Sequence, residues 1–399
     1  MKSSGLQFSE LDLNPNPSAL VLRLLNQVKH TAESFADAYN LDFKNLESFL
    51  NDNESTIQPI LDSLIAHPGI DIRVLFKPKV AEKIHMITNR ESKVVAMSAE
   101  DSMLSARIFK RGSSESTKTP FYKYFDTAVM PSSPFRPELI EQLKFFDGES
   151  ELESCYFNNG HFEDQLTLYL GNVNLHWIEL NSGKKIFKAS KFDTSYKLPF
   201  VPHTFTSRTH SVGRILAVTY LGPIGSRSFQ DLIQKNSLDD LCKILENYQA
   251  TDESNKPVVL TTSTKPNLIN LSEEFQATLL LGGVQGQPSS TITLLQFPRE
   301  TETALSPTAN HQWFFNCSNV SIKMSWDFSA FMFTPNSSIA VSPQTLVTVS
   351  NTSDKTAEIV SFAARSGEGD PILQAKRILK AAGPSAISRM RNETSQWFN

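Results

Sequence analysis

The stretch Asn158-Asn159-Gly160-His161-Phe162-Glu163-Asp164-Gln165-Leu166-Thr167-Leu168-Tyr169-Leu170-Gly171 sets an imidazole, a carboxamide and two carboxylates at the head of an apolar run. Side chains of a strand alternate faces, so a period of two places His161 and Gln165 on one side with Glu163 between them. Two donors on one inner face can meet one metal ion. A second imidazole, His203, follows 42 residues after the first, in Leu198-Pro199-Phe200-Val201-Pro202-His203-Thr204. Hairpin-like strands separate the two, and the interval suits a return strand. His30, His67, His85, His176, His210 and His311 have no such setting and read as packing or surface residues, with His176 the nearest rival.

The elements that must position these donors are short strands. From about residue 96 the chain offers Leu166–Leu170, Leu175–Glu179 and Ile215–Tyr220, divided by the turn signals Gly171-Asn172, Asn181-Ser182-Gly183 and Gly222-Pro223. Such a series suggests a sandwich or barrel. A helical stretch, Phe229–Tyr248, and the polar linker Thr251–Pro257 come next. A second β-rich segment with Thr291–Leu295, Trp313–Phe315, Phe331–Phe333 and Leu346–Val349 then has the texture of a repeat. It contains one histidine, His311, and no His-x-x-x-acid pattern, so no metal is expected there. The residues from Asp370 turn helical, up to Gly383-Pro384.

The first ~90 residues read as helices from their apolar spacing. Thr31–Leu41 followed by Phe43–Leu46 looks like a helix-turn-helix with Thr31 as N-cap. Its charge opposes DNA reading: residues 29–54 carry two basic side chains, Lys29 and Lys44, against the six acids Glu33, Asp37, Asp42, Glu47, Asp52 and Glu54. A recognition helix needs phosphate-neutralising Lys and Arg. The expected organisation is a helical domain (1–95), a β domain with the donors (96–225), a helical linker (226–257), a second β domain (258–369) and a helical tail (370–399).

Composition agrees with a folded protein of several domains. The 399 residues are 40% hydrophobic and 20% charged, and the formal charge of −4 excludes broad non-specific nucleic-acid binding. Three scattered cysteines, Cys155, Cys242 and Cys317, fit a reducing compartment better than a disulfide framework. No apolar run reaches the ~20 residues of a membrane span, and the first residues lack the apolar core of a secretory signal. A soluble, cytoplasmic protein is expected.

The two donor motifs resemble the cupin superfamily, in which His-x-x-x-Glu is followed by Gly and a second motif sets Pro before His. Gln165 stands where cupins usually carry Glu, and the Gly expected ahead of the second His is missing. Three further segments make the chain similar to one subgroup, the non-haem iron oxygenases of phosphonate metabolism comprising hydroxyethylphosphonate dioxygenase and methylphosphonate synthase. They are Asn26-Gln27-Val28-Lys29-His30-Thr31-Ala32, Pro120-Phe121-Tyr122-Lys123-Tyr124 and Asn158-x-x-His161. The resemblance runs through roughly residues 20–225, with the remainder as a degenerate copy. It implies a mainly β fold with an α-helical N-terminal module and tandem cupin (double-stranded β-helix, jelly-roll) domains, the second degenerate.

Within the subgroup the dioxygenase branch places a ligand Glu six residues before the second His. Lys197 stands there in this chain, and an ammonium cannot ligate iron. The resemblance therefore implies the two-His-one-Gln set of the synthase branch, His161, Gln165 and His203, with Glu163, Asp164, Glu179 and Asp193 as alternatives for the third ligand. Two imidazoles and an oxygen donor on one face leave adjacent open positions, which suits Fe(II) with substrate and O2 bound together. Three neutral ligands leave the ion its full charge and favour a dianionic substrate.

The phosphonate end requires donors and positive charge. Lys29, Arg111, Tyr124 and Asn158 are the substrate-binding candidates, Lys29 and Tyr124 also the catalytic ones, and Lys29 would enter from outside the barrel, from its own or another protomer. The implied reaction cleaves the C–C bond of 2-hydroxyethylphosphonate with O2 to give methylphosphonate and CO2 or bicarbonate. Its alternatives are the sister reaction to hydroxymethylphosphonate and formate, and a ligand-sensing cupin regulator of transcription. The expected partners are the phosphonate and O2, with no nucleic acid, no membrane, and assembly as a homo-oligomer.

Overall fold

The computed structural model describes residues 13–14, 17–51, 57–67, 70–77, 93–113, 115–146, 155–208, 211–220, 222, 227–248, 256–263, 267–269, 275–284, 287–364 and 370–392. His85, His210 and most of the Thr251–Pro257 linker lie outside them. Among the described residues no helix is long and apolar enough to cross a membrane.

Apolar residues at helical spacing form α1 (Pro17–Gln27), α2 (Ala32–Tyr39), α3 (Phe43–Leu50) and α4 (Ile57–Ala66). Thr31 caps α2 through a reciprocal bond pair with Ser34, Asn40 closes it in the left-handed conformation, and Asp42 caps α3 at the Lys44 N–H. Val21, Leu25, Phe35, Leu46, Ile60 and Leu64 pack these helices into a core of their own.

Next along the chain are β1 (Val94–Met97), α5 (Ala99–Leu104), β2 (Arg107–Arg111), β3 (Thr119–Asp126), β4 (Phe135–Gln142), β5 (Asp164–Tyr169), β6 (Val173–Glu179), β7 (Gly183–Ala189), β8 (Thr194–Lys197), β9 (His203–Ser207) and β10 (Gly213–Tyr220). After α6 (Arg227–Lys235) and α7 (Leu238–Asn247) the strands resume as β11 (Val258–Thr261), β12 (Asn267–Ile269), β13 (Gln276–Val284), β14 (Gln287–Phe297), β15 (Thr301–Leu305) and β16 (His311–Asn316). They continue as β17 (Ile322–Trp326), β18 (Ser329–Phe333), β19 (Ser338–Val341), β20 (Val347–Asn351) and β21 (Ala357–Ala364), and α8 (Pro371–Ala382) and α9 (Pro384–Asn392) follow.

The strands make two jelly-roll units. The first combines a seven-stranded sheet, β11-β8-β5-β10-β4-β3-β2, with the three-stranded β7-β6-β9. The second combines the seven-stranded β1-β19-β16-β21-β14-β13-β12 with the four-stranded β15-β20-β17-β18. Each large sheet takes its edge strand from across the expected boundaries: Val94–Met97 pair with β19 of the second barrel, and Val258–Thr261 pair with β8 of the first.

Period two sorts β5. Leu166 and Leu168 join Tyr196 in an apolar cluster with Trp313, Phe315 and Phe362 of the second barrel, which leaves Gln165 and Thr167 on the opposite face. The C-terminal helices complete the molecule, because Ala375, Ile378 and Ile387 pack with Phe229 and Leu241 of α6 and α7 over Phe162 and Phe200.

Candidate metal centre

His161 does not lie in the strand that period two predicts. β5 begins at Asp164, and His161 sits in the bend before it. Gly160 makes the bend: its φ is +70°, and a Cβ there would lie 2.3 Å from the Phe200 carbonyl carbon, so only glycine admits so close a backbone. The Phe200 N–H donates to the His161 carbonyl at 2.9 Å. Arg389 of α9 donates to the carbonyls of Asn159 (2.5 Å) and Gly160 (3.1 Å), so the C-terminal helix braces the same bend.

The bend still brings the expected donors together. His161 Nε2 lies 2.6 Å from Gln165 Oε1, and the His203 ring stands 5.1 Å from the His161 ring, at 87° to it. Asn158 ties the two segments, its Oδ1 accepting from the N–H groups of Gly160 (3.0 Å) and His203 (2.9 Å). Its Nδ2 lies 3.3 Å from His203 Nε2.

The donor chemistry fits a metal. His161 Nδ1 faces the Glu163 carbonyl and His203 Nδ1 faces the Val201 carbonyl, each at 2.8 Å. A carbonyl accepts, so each Nδ1 holds the proton and each Nε2 keeps its lone pair. Burial pushes both imidazoles well below the ordinary histidine range, which keeps them neutral. Gln165 Nε2 donates to Thr167 Oγ1 at 2.9 Å, so the amide oxygen is the end that faces His161. Two acceptors 2.6 Å apart repel, and a shared cation relieves the repulsion.

The alternative carboxylates point elsewhere. Glu163 Oε2 lies 3.9 Å from His161 Nδ1, the nitrogen already committed to a carbonyl. Asp164 accepts from Tyr196 and Gln374, Glu179 from Trp177 and Ser182, and Asp193 from the N–H groups of Ser190 and Ser263. Among the described residues no group of three His, Cys, Asp or Glu is gathered for a metal, and the Gln165 amide oxygen is the side-chain oxygen that faces His161 Nε2.

A small cavity of about 20 Å³ opens beside this trio, and Lys29, Arg111, Tyr124, Asn158, Gln165 and His203 all line it. Lys29 arrives from the helical module of the same chain. Its φ of +54° turns the backbone at the end of α1, where Arg107 of β2 donates to the carbonyls of Val28 (3.2 Å) and Lys29 (3.3 Å). Arg107 also pairs with Asp126 (2.5 Å) and Glu138 (2.9 Å), so a buried guanidinium joins the module to the barrel. Arg111 is held by the Tyr156 carbonyl at 2.7 Å and lies over the Tyr122 ring.

The sequence reading missed several groups. Glu138 lines the cavity, and burial, opposed by Arg107 and Lys29, pushes its carboxyl up to about 7. Its signal was an acidic side chain between Pro137 and Leu139 in the strand Phe135–Gln142. Tyr122 lines the cavity too, its hydroxyl bonding Thr204 at 2.7 Å and accepting from the Phe205 N–H at 2.9 Å. Burial raises the Tyr124 phenol well above its ordinary range, so Tyr124 keeps its proton. The rival His176 bonds Thr206 at 2.9 Å, and His30 and His67 pack against each other in the helical module.

No family model matches the chain. The structure of 2-hydroxyethylphosphonate dioxygenase from Streptomyces albus, with 2-hydroxyethylphosphonate and Fe(II) bound, superposes with a TM-score of 0.57 over 96% of this chain and 98% of that one, at 18% identity. The chain has the fold of that dioxygenase. A variant of 2-hydroxyethylphosphonate dioxygenase aligns with a TM-score of 0.52 at 15% identity, over 93% of this chain and 99% of its own. In sequence, the chain is 30% identical to methylphosphonate synthase of Nitrosopumilus maritimus (strain SCM1) over 220 residues. That match takes in 54% of this chain and 44% of the synthase, less than half of the relative's length.

Proposed function

We propose that the chain is an Fe(II)-dependent oxygenase that cleaves the C–C bond of 2-hydroxyethylphosphonate with O2, giving methylphosphonate and CO2 or bicarbonate. The observation that carries this reading is the convergence of His161, Gln165 and His203 beside a cavity whose walls bear Lys29, Arg111, Tyr124 and Asn158. Similarity to methylphosphonate synthase supports it, as does the shared fold with a dioxygenase that holds this substrate and Fe(II).

The reaction balances without an external reductant. One phosphonate and one O2 give methylphosphonate, CO2 and water; the hydroxyl-bearing carbon is oxidised to CO2 and its former partner leaves as a methyl group. Iron, when bound, supplies O2 activation and a Lewis acid for the substrate's oxygens. The chain's own groups do the rest. Lys29 and Arg111 oppose the double charge of the phosphonate, Tyr124 donates the proton that burial keeps on it, and the Asn158 amide adds a further donor. Enclosure keeps the one-carbon fragment beside the phosphonate-bearing carbon, as hydrogen transfer between them requires. A cytoplasmic homo-oligomer belongs to the same proposal, and the acidic composition of residues 29–54 supports the absence of a nucleic-acid partner.

The test is phosphorus NMR after incubation with Fe(II), 2-hydroxyethylphosphonate and air. A methylphosphonate resonance is the expected result. Hydroxymethylphosphonate with formate would assign the sister reaction instead, and unchanged substrate would overturn both.

A further inference from the structure

We infer that Lys197 is a positioning residue of the metal centre, which acts through Thr167 to hold the Gln165 carboxamide with its oxygen toward His161. The inference rests on the proposed metal site and names a device inside it.

Antiparallel pairing of β5 with β8 sets Gln165 directly opposite Lys197. The Lys197 side chain is fully buried, and its Nζ lies 2.8 Å from Thr167 Oγ1. That same oxygen accepts from Gln165 Nε2 at 2.9 Å, so one hydroxyl sits between two nitrogens. Lys197 also lies over the Phe205 ring, 4.8 Å from its centroid, and that ring packs 5.7 Å from the His203 ring. The amine is therefore fixed by the pieces that frame both His203 and Gln165. It stands outside the lining of the substrate cavity, so its effect on chemistry must pass through a neighbour.

The two ends of a carboxamide have nearly the same shape, and what binds the far end decides which one faces the metal. An amide nitrogen has no lone pair to give a metal; the amide oxygen has two. Thr167 selects the oxygen when it offers a lone pair to Gln165 Nε2, and its hydroxyl must then turn its proton elsewhere. The amine on the other side holds the hydroxyl in that arrangement. Without it the hydroxyl can rotate and donate to Oε1, the amide turns over, and the NH2 faces His161.

Nothing in the fold demands an amine at this place. A thioether of similar length fills the same space without a buried polar group to satisfy. Lys197→Met should therefore melt no lower than the parent protein while losing the ordered amide. The probe is Co(II) without substrate, read by titration and by its visible d–d bands. Parent protein should bind Co(II), and His161→Ala should abolish binding. Lys197→Met and Thr167→Val should each weaken binding by about tenfold or more and shift the bands, whereas Thr167→Ser, which keeps the hydroxyl, should match the parent.

Unchanged affinity and bands in Lys197→Met would overturn the positioning role while leaving the metal site standing. Failure of the parent protein to bind Co(II) would overturn the metal site and this inference with it. If Lys197→Met does not fold, Thr167→Val decides the question by the same criteria.

Discussion

In the first barrel, Gln165 and Lys197 sit opposite each other on one sheet face, with Thr167 and Ser195 as the next pair along. The second barrel repeats the sheet order, with β16 in the place of β5 and β19 in the place of β8. Its matching pairs are Gln312 with Val341 and Phe314 with Ile339. A hydroxyl and an amine thus give way to a ring and an aliphatic chain, and Phe314, Ile339 and Val341 join Phe333 and Val349 in a continuous apolar cluster. At these positions the second jelly roll closes around apolar side chains. Buried polar groups cost free energy unless they are bonded, so those of the first barrel mark a site rather than a requirement of the fold.

The sharpest way to break this contrast is to delete the two matching amides. Gln165→Ala should abolish turnover with the fold retained, while Gln312→Ala, at the same place in the other barrel, should leave turnover at the parent level; phosphorus NMR rates and circular dichroism measure both. Phe314→Ala should invert the pattern, lowering stability by about 3–5 kcal/mol in denaturant titration with the metal affinity of the folded protein unchanged. Gly160→Ala probes the bend that carries His161. Strain at its positive φ and the clash with Phe200 should lower stability by about 1–3 kcal/mol and weaken metal binding, as Co(II) titration would show.

The smallest effect sets the helical module against the barrels. Burial holds His67 down to about 4 from 6.5, so the folded module carries it neutral. The unfolded chain then binds more protons in that window. Stability from this residue is complete above about pH 6.5 and is lost as the pH falls toward about 4, on the order of 1–2 kcal/mol by pH 5. Thermal melts of the parent protein at about pH 8 and pH 5 should show that loss, and His67→Phe should reduce it.

Local chemistry was legible in the sequence. The Thr31 cap and the strands around Leu166, Leu175 and Ile215 depend on neighbours in the chain, and period and side-chain type expose them. His161, Gln165 and His203 and the cavity residues Lys29, Tyr124 and Asn158 could be named from motifs, and Arg111 from the positive charge that a phosphonate needs; the structure brings them together. The bend at His161 could not, because the positive φ of Gly160 is decided by the backbone of Phe200, far along the chain. Thr167 reads as a strand residue and Lys197 as the occupant of a lost ligand position, and only register sets Lys197 opposite Gln165. The division at residues 96 and 258 follows composition, whereas strand pairing follows edges that composition does not record.

Val258 of β11 pairs with Lys197 itself, and Val259 with Tyr196. The strand that splints the sheet bearing Gln165 therefore comes from beyond the linker helices, and β1 does the reciprocal service for the second barrel. Severing the chain between the halves would strip both sheets to raw edges, an invitation to aggregation rather than two smaller proteins. The two barrels are in this way interdependent, each large sheet being closed by a strand that lies outside its own half of the chain.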